Sequence, residues 1–95
     1  MAALSSTGRR GQTAKLRLKV YDDSGQAQVS AVVRRNGKLV GRAKTGFGPV
    51  AYGSVYFVGW HVPRAAPKGR YTFCVVAADH ANNHSTESCA PLTLR

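Results

Sequence analysis

Between residues 14 and 20 every second side chain is apolar, and every one between them is a cation. A period of two places Leu16, Leu18 and Val20 on one side of an extended strand and Lys15, Arg17 and Lys19 on the other, because successive strand side chains point to opposite faces. A helix would wind the same residues around its circumference and bury cations beside leucines. The chain is therefore committed to a sheet with one dry face and one wet face. The dry face needs a second layer to cover it. Asp22-Asp23-Ser24-Gly25 then closes the strand with turn chemistry.

The rest of the chain repeats this grammar. Residues 26–34 form a second strand with Ala27, Val29, Ala31 and Val33 on one face. Asn36-Gly37 separates it from a third, residues 38–44, and an Asn-Gly pair readily takes the two positive φ angles of a type I′ hairpin turn. Residues 45–54 hold three glycines and a proline; they are expected to be a long irregular connection between sheets. Residues 55–62 are strongly β-forming. If Tyr56, Val58 and Trp60 face one side, Phe57 and His61 face the other, and the pattern alone leaves that orientation open. Residues 63–69 read as a second irregular stretch, 71–78 as the next strand and 88–95 as the last. No stretch keeps a helical period over a useful length. About six or seven short strands, with turn signals every 8–12 residues or so, indicate an all-β sandwich or small barrel. The expected core is Leu16, Leu18, Val20, Val29, Val33, Trp60, Tyr71, Phe73, Val75 and Leu92, anchored on Trp60 for its large area.

The chain has 95 residues, enough for one domain, expected to span residues 12–95 behind a tether or edge strand at residues 1–11. A chain this short buries roughly 60–65% of its unfolded surface, so a covalent staple helps a thin core. No apolar run reaches the roughly 18–20 residues that span a bilayer. Residues 1–11 lack an apolar leader core, so export would need a signal outside them. Fourteen Lys and Arg against four Asp and Glu give a formal charge of +10, a balance that attracts anionic polymers and surfaces. The bases occur singly or in pairs (Arg9-Arg10, Arg34-Arg35), so the expectation is a dispersed, solvated basic surface. Binding of an anionic polymer is the alternative, and specific nucleic-acid recognition is not expected.

Cys74 and Cys89 are the only cysteines. They flank a loop at residues 79–84, on the last two strands. If they face each other, Tyr71 stands opposite Leu92 and Ala78 opposite Ser85. Tyr71, Phe73, Val75 and Ala77 then line the core with Leu92 and Leu94, and the disulfide lies on the other face. The expected Cα separation is about 4.4–6.8 Å, the stabilisation on the order of 3 kcal/mol in the chain-entropy treatment, and the compartment oxidising. Two buried free thiols or half of a metal site are the alternatives. Zinc is disfavoured because no Cys-x-x-Cys spacing occurs and no histidine stands at a zinc-finger interval.

Pro67-Lys68-Gly69-Arg70-Tyr71-Thr72-Phe73-Cys74-Val75-Val76-Ala77-Ala78-Asp79, with Asn83, Ser85 and Ser88-Cys89-Ala90 after it, resembles the end of bacterial immunoglobulin-like or fibronectin-type-III-like modules. Asp22-Asp23-Ser24-Gly25 and Trp60-x-x-Pro63 fit the same family. The turn glycine usual there is Asn82 here, a residue that tolerates the left-handed conformation better than most. The resemblance implies an immunoglobulin-like Greek-key sandwich of about seven antiparallel strands, in a secreted or surface protein, serving as a spacer or binding unit beside other domains. It identifies a scaffold and no activity. Tyr71 resembles the tyrosine of the Greek-key corner, whose hydroxyl bonds to backbone a few residues upstream; the expected partner lies in residues 64–68.

Catalysis is not expected, nor is a cofactor. Asp79, His80, His84 and Ser85 share an exposed hairpin loop that gives a base no preorganised pocket. Asp79 and Asn83 are read as structural turn residues, Asp79 capping its own loop amides. A calcium site near Asp79 has oxygen ligands but no concentration of carboxylates. Asn83-His84-Ser85 matches the glycosylation pattern, which in a bacterial protein is a chance match. Tyr52 and Tyr56, with Arg34, Arg35 and Arg42, are the candidate ligand-binding residues: aromatic platforms beside cations on outer strand faces.

Overall fold

A computed structural model describes residues 2–19, 26–45, 48–49, 55–78 and 84–95. Its elements are all strands: β1 (Ala2–Ala3), β2 (Ser6–Gly8), β3 (Thr13–Lys19), β4 (Gln26–Arg35), β5 (Lys38–Lys44), β6 (Gly48–Pro49), β7 (Val55–His61), β8 (Gly69–Ala78) and β9 (Ser88–Leu94). One sheet runs β1-β3-β7. The other runs β2-β9-β8-β4-β5, with β6 attached to β4.

The alternation read from the sequence decides which face is dry. On β3, Ala14, Leu16 and Leu18 are buried while Lys15 and Arg17 are exposed. Opposite them, Leu16 pairs with Val58 and Ala14 with Trp60. Tyr56, Val58 and Trp60 thus face inward, Phe57 and His61 outward. The second sheet contributes Val29, Ala31, Val33, Tyr71, Phe73, Val75, Ala77, Ala90, Leu92 and Leu94 to the same cluster. Two sheets share one core, the arrangement of a β-sandwich. Of the expected core, Val20 lies outside the described residues; the other nine are buried.

Three local features set the chain's path. Asn36 (φ 52°) and Gly37 (φ 79°) supply both positive angles of the β4–β5 turn, and Arg35 pairs with Lys38 around it. Ser6 lies where the chain leaves one sheet for the other. Its buried hydroxyl donates to the Leu4 carbonyl (2.9 Å) and accepts from the Arg17 N–H (3.0 Å), replacing the ladder bond that β1 would otherwise continue. Residues 1–11, read as a tether or edge strand, hold two short strands, β1 against β3 and β2 parallel to β9. The Ala3 N–H also donates to the Ser88 hydroxyl at 2.9 Å, a link from β1 to β9 across the two sheets.

Cys74 and Cys89 are bonded, and the hairpin register sets Tyr71 against Leu92. Cys74 is 6% exposed yet stands outside the core cluster, on the outer side of the sheet. Three expectations need correction. The Cα separation is 4.0 Å, below the expected range. Ala78 pairs with His84, not Ser85: the Ser85 hydroxyl accepts the Ala77 N–H (2.9 Å) while the Ser85 N–H donates to the Ala77 carbonyl (2.8 Å). That side-chain bond shifts the register by one. Finally, the stretch expected to be irregular contains Gly48–Pro49, paired with Gln26 and Ala27. Such a short edge can hold a proline because few ladder donors are lost.

Candidate binding surface

The described candidate residues do not all share one surface. Arg34 and Arg42 lie on the outer face of the larger sheet, where Arg42 pairs with Val32 and the Arg34 guanidinium approaches the Cys74 sulfur at 3.9 Å. Arg35, one residue on, turns toward the end of the sandwich. Its guanidinium carbon sits 5.3 Å from the Tyr71 ring centroid, and its Nη1 donates to the Tyr71 hydroxyl at 3.4 Å. Tyr56 belongs to the other sheet, half-buried and packed on the core. Tyr52, Asp79 and Asn83 lie outside the described residues.

The Tyr71 hydroxyl donates to the Pro67 carbonyl at 2.7 Å, within the stretch anticipated from the sequence. It thereby ties β8 to the connection at residues 62–68. Beside it opens a cleft of about 710 Å³ lined by Val40, Trp60, Pro63, Ala65, Ala66 and Tyr71, with Arg35 and Lys38 at the rim. The volume is that of a ligand site. However, Trp60 and Tyr71 are only 7% and 2% exposed, so neither presents a ring face. The floor is what holds the edge together: a Cβ on Gly41 would meet the Trp60 indole at 2.5 Å, so the ring lies flat against the β5 backbone.

Half of the fourteen cations line two hollows elsewhere, and the other seven stay dispersed over the rest of the surface, as expected for a solvated basic face. One polar hollow is lined by Arg9, Arg10, Gly11, Gln12, Arg64, Lys68 and Arg95. A second, lined by Ser5, Thr7, Thr13, Lys15 and Arg17 among others, shares Arg9, Gln12 and Arg95 with the first. The two adjoin. Backbone bonds draw the segments together: Gly11 N–H to Val62 O and Val62 N–H to Gln12 O, both 2.9 Å, with Arg95 N–H to Gly8 O at 2.9 Å. Gly11, at φ 76°, lets the Arg64 side chain lie against the turn, 3.0 Å from where a Cβ would stand. The pair Arg9-Arg10 was visible in the sequence. Its meeting with Arg64, Lys68 and Arg95 was not, since these lie 50 to 90 positions away or so and no local pattern couples them.

All fourteen Lys and Arg fall among the described residues, against one acid, Glu87. On the outer face of the smaller sheet, Lys15 Nζ stands 5.0 Å from the Phe57 ring centroid, a cation–π contact that covers part of an otherwise exposed ring. Cys74, Glu87 and Cys89 bring their sulfur and carboxylate atoms close together, but both sulfurs are in the disulfide and offer no thiolate. No family model and no curated protein matches this chain.

Proposed function

We propose that this chain is an immunoglobulin-like, non-catalytic module of a larger secreted or cell-surface protein, a spacer or interaction unit working beside other domains. The observation that carries the reading is the strand order, β1-β3-β7 against β2-β9-β8-β4-β5. The chain crosses between sheets after β3, again before β7 and again after it, as Greek-key sandwiches do. The bond from Tyr71 to Pro67 supports it as a corner contact of that class. The disulfide is compatible with an oxidising compartment. Three serines commit their hydroxyls to structure: Ser6, Ser85 and Ser88 accept the backbone N–H groups of Arg17, Ala77 and Ala3.

The second reading, a binding module for an anionic polymer or polysaccharide, is favoured by the grouping of cations with no acid lining the hollows among the described residues. Like charges crowded in one hollow repel, and screening at physiological salt acts over about 8 Å, so a bound anion relieves that cost. Chromatography on immobilised heparin separates the two readings. A binding module stays bound above about 150 mM salt. Elution below that concentration leaves the spacer reading alone.

A further inference from the structure

We infer that the two adjoining hollows form one groove for an anionic polysaccharide, gripped through its sulfate or carboxylate groups. The inference rests on the polymer-binding reading and assigns it a site and a ligand class.

Continuity is the first argument. The hollows share Arg9, Gln12 and Arg95, so the cations run from Lys68 and Arg64 past Arg10 and Arg9 to Arg17. A track of this kind suits a chain more than a compact ion. Its walls are set before any ligand arrives, because the β2–β3 turn, the end of β9 and the 62–68 connection are joined by backbone hydrogen bonds. Prior ordering cuts the entropy lost on binding.

Charge and side-chain type come next. Arginine predominates, and its planar fork matches carboxylate and sulfate oxygens two at a time. Glu87 stands near the disulfide, 3.8 Å from Cys89 Sγ, at the opposite end of β9 from Arg95. Eight residues of extended chain put it roughly 25 Å away, beyond the reach of its field at physiological salt.

The neutral lining chooses between polymers. Ser5, Thr7, Gln12 and Thr13 are exposed along the groove and offer hydroxyl and amide partners for sugar hydroxyls. Among the described residues no aromatic side chain lines either hollow, and the Phe57 ring is partly covered by Lys15. Single-stranded nucleic acid relies on such rings to stack successive bases.

The test titrates a heparin-derived hexasaccharide into the protein at 150 mM salt, by calorimetry and by amide chemical shifts. Wild type is compared with Arg10→Ala/Arg64→Ala and with the charge-matched Arg34→Ala/Arg42→Ala. The groove pair is expected to weaken binding about tenfold or more and to lower the salt slope, while the control pair changes it less than about twofold. In wild type, which needs no substitution, the largest shifts should fall on Gln12, Thr13 and Arg64. Equal losses in both variants, or shifts centred on β4 and β5, overturn the groove while leaving polymer binding standing. So does tighter binding of a hexathymidylate than of the hexasaccharide. A wild-type protein that neither binds the hexasaccharide nor stays on the heparin column removes the polymer reading itself.

Discussion

In the β8–β9 hairpin, seven consecutive pairs run in register from Gly69 and Leu94 to Val75 and Ser88, with Cys74 bonded to Cys89 near the loop end. At the far edge of the same sheet, β5 meets β4 with a one-residue shift between Val33 and Arg34, and most of its side chains face solvent. Leu39 and Val40 are both more than two-fifths exposed. The hairpin is held by a buried alternating face and a covalent bond. The edge meets the core where Ala43 packs against it and where Gly41 meets the Trp60 ring. A thin sandwich can leave an edge strand polar and solvated if one large side chain from the opposite layer seats against it.

Substitution at that contact should have the largest effect. Trp60→Ala is expected to cost roughly 3–5 kcal/mol in a denaturant titration. Gly41→Ala is expected to cost about 1–3 kcal/mol, because the new methyl must displace the ring. The two should not add: with Trp60 already removed, Gly41→Ala should cost almost nothing. Additive losses would show that β5 is held by something other than the ring.

The hairpin should respond more uniformly. The Cys74→Ala/Cys89→Ala pair is expected to lose about 3 kcal/mol, with the register intact in cross-strand nuclear Overhauser contacts between Tyr71 and Leu92. A lost register would mean that the disulfide, not the apolar face, aligns the strands. The smallest effect is expected at the hairpin's outer end. Tyr71→Phe removes the bond to the Pro67 carbonyl and should cost about 0.5–1.5 kcal/mol. An unchanged melting temperature would mean that residues 62–68 are positioned without it.

Much of the scaffold was legible in the sequence because its causes are local. The alternation in β3 is written in adjacent residues, and so is the turn at Asn36-Gly37 with its two positive φ angles. Setting Cys74, one of only two cysteines, opposite Cys89 gave the register by counting along one hairpin. That counting failed only at Ala78, where a serine hydroxyl took a ladder position. The inward side of β7 was open in the sequence, since Tyr56 and Phe57 are equally suited to a core; pairing with β3, whose dry face is unambiguous, settled it.

What the sequence by itself determined is the six longer strands, the dry faces of β3, β4, β8 and β9, and the hairpins and disulfide that join neighbours. These depend on side-chain period and turn chemistry over a few residues. What only the tertiary structure decided is where the charge collects and how the solvated edge is closed. Arg9, Arg64 and Arg95 share one hollow, and Gly41 lies under Trp60, because the sheets stack and the chain returns three times to the same end of the sandwich. Contacts between distant positions arise from burying two dry faces together, and that burial is a property of the whole fold.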